Sequence, residues 1–176
     1  MVTNQLRQIL KACFAQQNGS YSNRGYVPVV TTSGVTRYIS KIDYPYSVSN
    51  GASMGNGVRL GTNGTAPTVN DYALGSAITS GISIANQATP YTQKDANGDL
   101  TLEYIFTVTN TDNSAITIRE IGYYQNVYTS ANPGETGNSA SYQVMIDRTL
   151  LDSPITIQPN EYAVIKYTLK SILGLA

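Results

Sequence analysis

The sequence predicts an all-β protein, an antiparallel β-sandwich or jelly-roll-like fold preceded by one amphipathic helix. Three observations carry that expectation. Apolar and polar residues alternate with period two in roughly eight to ten short runs, spaced about 8–12 residues apart from residue 26 onward. Gly, Pro, Asn and Asp separate the runs, and no helical pattern lies between them as βαβ units would require. Charged residues make up only 12% of the chain, about half the usual quarter. Thr, Ser, Asn, Gly and Tyr fill their place, and these favour strands, turns and neutral polar surfaces. At 176 residues the chain is long enough to bury a core. It divides into an N-terminal helical segment, 1–18, and a β-sandwich domain, 19–176.

The helix is read over residues 3–17. Leu6, Ile9, Leu10, Cys13 and Phe14 follow the i, i+3, i+4, i+7, i+8 spacing that lines one face. Thr3 is placed to cap its start and Asn18-Gly19 to stop it. A single terminal helix is marginal alone, so the stripe is expected to bury against the β domain or against a neighbouring subunit. Tyr26–Val30 and Thr36–Ser40 read as short strands, with Pro28 marking the first as an edge. Residues 47–57 are rich in Gly, Ser and Asn and read as loop. Val58–Gly61 is a brief strand that leads into a second loop, Thr62–Pro67. Asn70–Leu74 reads as a single helical turn, capped by Asn70 or Asp71, with Leu74 expected to plug the core.

Thr89–Gln93 and Leu100–Asn110 flank Asp95–Asp99, whose Asn97-Gly98 pair is a strong hairpin signal. In the second arm Leu102, Tyr104, Phe106 and Val108 alternate with Thr101, Glu103, Thr107 and Thr109, so one face is buried and one wet. Ile116–Ile118 and Glu120–Tyr124 follow, then a loop over Thr129–Ser139. Tyr142–Arg148, Ile155–Ile157 and Tyr162–Leu169 complete the set.

Composition excludes much chemistry. Lys plus Arg and Asp plus Glu each number 11, and the basic residues are scattered, so no field draws the chain to nucleic acid. The same neutrality removes a barrier to self-association. Cys13, the single cysteine, lies on the apolar stripe and reads as a packed thiol. No apolar run approaches the roughly 20 residues of a membrane span, and Asn4, Gln5, Arg7 and Gln8 interrupt any signal-peptide core. Synthesis and folding in a cytoplasm are therefore expected.

The chain has no histidine, which removes Ser-His-Asp and Cys-His catalysis and the commonest transition-metal ligand. Glu103, Glu120, Asp147 and Glu161 are the carboxylates a glycosidase would need in facing pairs. Each has a simpler structural reading: a wet strand face, a neighbouring Arg119, a neighbouring Arg148, and a turn. Asp95-x-Asn97-x-Asp99 starts like a calcium loop, yet its glycine is fourth and Phe106 stands where the closing Glu belongs, so it reads as a hairpin tip. Gly55-x-Gly57 and Gly61-x-x-Gly64 lack the lysine and helix of a phosphate cradle. No catalytic residue, cofactor or metal is expected.

The 14 tyrosines, against no tryptophan, suit strand pairing, interfaces and sugar stacking. The residues expected to meet partners are Leu6, Ile9, Leu10 and Phe14 on the helix, with Tyr44, Tyr46, Tyr123, Tyr124 and Tyr128 on strands and loops.

Three segments together carry a resemblance. Residues 58–74, Val-Arg-Leu-Gly-Thr-Asn-Gly-Thr-Ala-Pro-Thr-Val-Asn-Asp-Tyr-Ala-Leu, resemble an "LGTGTTAPTxxDYxL" segment of bacteriophage virion proteins of the tail-associated and fibre type. Ile118–Tyr124 resembles their "I-x-E-I-G-L-Y" strand, with Tyr123 where Leu is commoner. Asp147–Leu151, Pro154–Ile157 and Tyr162–Tyr167 are similar to their closing "D-R-x-x-L…P-x-x-I…x-I-x-Y" block. The resemblance spans about residues 58–170. It implies a virion component present in multiple copies, in the tail, its adaptor or fibre, or on the capsid, with copies of itself and other virion proteins as partners. It carries over no catalytic residue. A carbohydrate- or receptor-binding adhesion module, acting on a host surface glycan through Tyr-rich loops at 44–46 and 123–128, is the alternative.

Overall fold

The computed structural model describes residue 3 and residues 27–41, 57–86, 91–94, 100–130 and 140–171. These hold nine strands: β1 Val27–Val30, β2 Thr36–Lys41, β3 Gly57–Gly61, β4 Ile82–Asn86, β5 Tyr91–Lys94, β6 Leu100–Asn110, β7 Ile116–Ser130, β8 Ala140–Ile157 and β9 Tyr162–Ser171. Every pairing between them is antiparallel. The all-β expectation holds across the described residues. The helix expected over 3–17 lies outside them, Thr3 apart.

Each of two sheets is built on one long strand. In the first, β8 runs along one side of β7 from Ile116↔Ile157 to Thr129↔Ala140. The other side of β7 carries β3 at Glu120–Tyr124 and β2 at Tyr128–Ser130, and β1 closes that edge. Pro28 is exposed on β1, where its missing N–H breaks no ladder. In the second sheet β6 is central, with β9 along one side and β4 and β5 end to end along the other. The β5–β6 hairpin forms as expected, with Lys94 opposite Leu100. Its tip, 95–99, lies outside the described residues.

Side chains from both sheets enter one core. Val58 and Leu60 of β3, Ile118, Ile121 and Tyr123 of β7, and Val144 and Ile146 of β8 meet Tyr104, Phe106 and Val108 of β6 and Ile165 and Tyr167 of β9. Burying each such side chain is worth about 1.5–3 kcal/mol. Two polar contacts cross between the sheets inside this core. The Tyr104 hydroxyl donates to that of Tyr123 at 3.0 Å, and the Tyr167 hydroxyl donates to the Asp147 carboxylate.

Two register shifts decide which side chains face which way. Between Tyr123↔Asp147 and Tyr124↔Met145, β8 carries one extra residue, Ile146. The bulge turns both Ile146 and Asp147 inward. Between Ile118↔Ile155 and Glu120↔Leu150, β8 makes a wider excursion over Leu151–Pro154. Ile118 therefore enters the core while Glu120, two residues on, sits on the opposite face of the sheet.

Several elements differ from expectation. β7 and β8 are continuous where the sequence suggests two short strands each, because the shifts absorb Arg119 and Asp152-Ser153-Pro154 without ending the ladder. β7 also extends to Ser130, into the expected loop. β4 has little signal in the sequence; only Ile82 and Ile84 mark it, on either side of Ser83. Residues 70–74 form no helical turn. The chain instead turns over Thr68–Asp71, with the Asp71 N–H on the Thr68 carbonyl at 3.2 Å.

Candidate functional site

The segment from Thr62 to Ala77 joins the first sheet to the second, and it crosses the face of the first sheet opposite the shared core. Its two ends are tied together by Thr62 N–H to the Ser76 carbonyl at 2.9 Å and Ile78 N–H to the Leu60 carbonyl at 2.8 Å. Short polar side chains shape it locally. The Asn63 Oδ1 accepts from the backbone N–H of Thr65 at 2.9 Å and from its hydroxyl at 2.8 Å. The Asp71 carboxylate accepts from the backbone N–H of Thr68 at 2.9 Å and from its hydroxyl at 2.8 Å. Such side-chain bonds to nearby backbone favour turns over helix, which is why the expected helical turn does not form.

Beneath this strap lies a small second core of Leu74, Tyr124 and Met145. Leu74 does not plug the main core, as the sequence suggests, but packs on the other side of β7. Its N–H donates to the Tyr124 hydroxyl at 2.8 Å, and the Arg59 guanidinium stacks over the Tyr124 ring, 4.8 Å from its centroid. Two glycines allow the close approach. A Cβ on Gly61 would stand 2.4 Å from Glu120 Oε1, and one on Gly122 would stand 2.8 Å from the Tyr124 ring and 2.9 Å from Leu74.

Three charges lock the strap down. Glu120 of β7 is fully buried and Arg148 of β8 is 5% exposed. Arg148 Nε donates to Glu120 at 2.7 Å, Nη1 to Asp71 at 2.6 Å, and Nη2 to the Thr65 carbonyl at 3.0 Å. Glu120 also accepts the Ser76 N–H at 3.1 Å. Burial works against the Asp71 charge, but the Thr68 N–H and hydroxyl and the Arg148 guanidinium outweigh it, holding the carboxyl below its ordinary 3.8. Burial likewise opposes the Arg148 charge, yet Asp71 and Glu120 keep its pKa above the ordinary arginine value.

The sequence places Arg119 beside Glu120 and Arg148 beside Asp147. The structure pairs Glu120 with Arg148, buries them, and adds Asp71 from a segment 49 residues before Glu120. Asp147 sits on the other face, in the core, where it also accepts the Thr149 hydroxyl at 2.8 Å. Burial raises the Tyr167 hydroxyl pKa far above its ordinary value, reinforced by Asp147. The other two carboxylates lie elsewhere. Glu103 pairs with Lys166 at 2.6 Å on the outer face of the second sheet, and Glu161 is exposed in the β8–β9 turn. No facing pair of these four has both members open to a substrate.

The expected partner residues divide. Tyr123 and Tyr124 are 7% and 2% exposed, so their rings serve the chain's own two cores and offer no surface to a partner. The second sheet and the strap cover both faces of β7 there, which alternation alone could not reveal. Tyr128, in β7, pairs with Ser141 on one side and Lys41 on the other. Leu6, Ile9, Leu10, Phe14, Tyr44 and Tyr46 lie outside the described residues. Beside the strap is a shallow depression lined by Asn63, Thr65, Thr68, Asn70, Asp71 and Tyr72, with Arg148 at its floor. Among the described residues, no group of three or more acid, thiol or imidazole side chains is placed to hold a metal ion. No helix there is long and apolar enough to cross a membrane.

Comparison with protein-family models, curated proteins and solved structures finds no match to this chain.

Proposed function

We propose that this chain is a non-enzymatic structural subunit of a bacteriophage particle, a β-sandwich assembled in multiple copies in the tail, adaptor or fibre region or on the capsid. The observation that carries this reading is where the three resembling segments go. Residues 58–74, 118–124 and 147–151 are far apart in sequence, yet they supply Asp71, Glu120 and Arg148 to one buried network. Gly61, from the first segment, leaves room for Glu120, and Gly122, from the second, leaves room for Leu74 and Tyr124 beneath the strap. The residues that carry the resemblance to virion proteins are thus residues that hold one strap on one sheet, which is what a resemblance in scaffold would require.

The carboxylates support a scaffold in another way, since Glu120, Asp147 and Glu103 are each engaged by a partner within the fold. Net neutrality and few charges favour packing among copies. Removing residues 1–17 is expected to leave a folded β domain that no longer assembles, measured by light scattering beside circular dichroism. Normal oligomers after the deletion would count against the helix as the assembly element. Full-length protein that stays monomeric at high concentration, and is missing from purified particles by mass spectrometry, would end the subunit reading.

The depression beside the strap favours one second reading, a surface for host glycan. Tyr72 stands 43% exposed at its rim, near the amide and hydroxyl groups of Asn63, Asn70 and Thr68, a mixture suited to the apolar face and hydroxyl edge of a sugar ring. Tyr72→Ala is expected to abolish binding on a glycan array while leaving the fold intact. An array with no signal for the unaltered protein removes this reading.

A further inference from the structure

We propose that the open edge of β9 pairs antiparallel with β9 of a second copy of this chain, joining two second sheets into one about a two-fold axis at Val164. The inference rests on the assembly reading and adds a contact through which copies meet.

Strand edges in natural sheets are blunted by shortness, proline, bulges or cover, because a long flat edge is a template for another strand. Most edges among the described residues have such protection. β1, β4 and β5 are four or five residues long, and β1 holds Pro28. β3 is met by the Ile78 N–H at the Leu60 carbonyl. β8 is met by the N–H groups of Thr3 and Thr32 at the Ile146 and Gln143 carbonyls, and it contains Pro154. β9 has none of these. It runs ten residues without proline, its register along β6 shows no shift, and no described strand lies on its other side. Alternate residues of an antiparallel strand bond to the neighbour on one side, and the Asn110 N–H on the Glu161 carbonyl sets the phase. Tyr162, Val164, Lys166 and Thr168 therefore turn N–H and C=O away from β6, where nothing among the described residues receives them.

The side chains of the same stretch are bare as well. Tyr162 is 68% exposed and Val164 52%, the two most exposed of the large apolar side chains described. Lys166 is the charge that would repel another strand, but Glu103 of β6 holds its ammonium at 2.6 Å. A second copy matches this edge best about Val164. Each Val164 then faces the partner's Val164, and Tyr162 of each copy lies opposite the partner's Lys166, an ammonium beside an aromatic ring. Tyr162, Val164 and Lys166 exchange main-chain hydrogen bonds with the same three residues of the other copy. Shifting the axis toward Lys166 brings the two lysines together, which is destabilising. Shifting it to Tyr162, where the strand begins, leaves little ladder. The contact is isologous and closes at two copies, so joining such pairs into a larger particle falls to other surfaces.

The test uses full-length protein with Cys13→Ser, which removes the single native thiol. Val164→Cys in that background is expected to form a covalent dimer under mild oxidation, because Cα atoms facing across such a pair stand about 5.5 Å apart. Tyr162→Cys is expected to stay uncrosslinked, because its copies lie four residues out of register, about 13 Å apart along the strand. Equal yields from the two, or none from Val164→Cys in protein that light scattering shows to be oligomeric, overturn the pairing and leave the assembly reading standing. A protein that stays monomeric overturns both. As a second arm, Val164→Pro removes an N–H that only the partner receives and keeps the ladder to β6. It is expected to weaken pairing at least about tenfold in sedimentation velocity, with circular dichroism unchanged. Val164→Lys sets two ammonium groups face to face without constraining the backbone. Its loss is expected to be of the same order and to be relieved by salt. Unchanged self-association in these variants counts against the proposal.

Discussion

Arg148 joins two carboxylates and a carbonyl through three separate nitrogens, and the cost of removing it depends on which partner is left behind. Arg148→Met strands Glu120 as a buried charge, and breaking such a pair costs about 3–5 kcal/mol. Urea unfolding is expected to show a loss of that size; a change below about 1 kcal/mol would mean the network contributes little. Asp71→Asn is milder, about 1–2 kcal/mol, because the Asp71 side chain keeps 19% exposure and stays hydrated. The Asp71 carboxyl lies below its ordinary 3.8, so the folded chain binds that proton more weakly than the unfolded chain. Its contribution is complete above the unfolded value and declines as pH falls through the folded one. As pH falls through and below the ordinary 3.8, unaltered protein should therefore lose more stability than Asp71→Asn, as chemical unfolding at each pH would reveal. Parallel curves would deny Asp71 a part in acid sensitivity. Steric fit matters as much as charge at Gly61, where Ala would push into Glu120 and the Ser76 carbonyl. A cost of about 1–3 kcal/mol is expected in the same urea assay.

At the scale of elements, β6 and β7 show what alternation does and does not reveal. β6 has one covered and one wet face, so Tyr104, Phe106 and Val108 are legible as core from spacing alone, and all three are buried. Phe106→Ala is expected to cost about 3–5 kcal/mol, and Thr107→Ala, one residue along, about 1 kcal/mol or less. Equal effects in thermal unfolding would contradict the assigned register. In β7 and β8 the strap covers the second face. Ile121–Tyr124 and Val144–Arg148 are consequently buried without a break, and no period-two signal says which side chain faces which core. The register shifts add to this, because whether Glu120 meets Arg148 depends on how β8 loops out at Leu151–Pro154. The sequence displays all three charged residues but not the bulges that bring two of them together. Asp71 is legible as a capping residue; the turn it caps is four residues long, and its carboxylate also reaches a strand far along the chain.

For the whole molecule, the question is whether two sheets behave as one body. Their strands share a single core cluster, and two hydrogen bonds, Tyr104 to Tyr123 and Tyr167 to Asp147, bridge the sheets where water is excluded. Neither sheet covers its apolar face without the other. A sheet that lost its partner would expose Val58, Leu60 and Ile121, or Phe106, Val108 and Ile165, at about 1.5–3 kcal/mol for each side chain. With the rest of the shared cluster added, that loss rivals the roughly 5–15 kcal/mol by which domains are usually stable, so a half-folded state has nothing to sustain it. Unfolding is therefore expected to be a single cooperative transition. The chain lacks tryptophan and has 14 tyrosines, and three of them, Tyr104, Tyr123 and Tyr167, lie at the sheet-to-sheet contact. Near-ultraviolet circular dichroism thus reports on tyrosine packing between the sheets, while the far-ultraviolet signal follows the strands. The two should share one midpoint. Ile165→Ala in the second sheet and Ile121→Ala in the first should each lower that common midpoint. A tyrosine signal lost before the strand signal, or two variants that shift separate transitions, would mean that the sheets unfold independently.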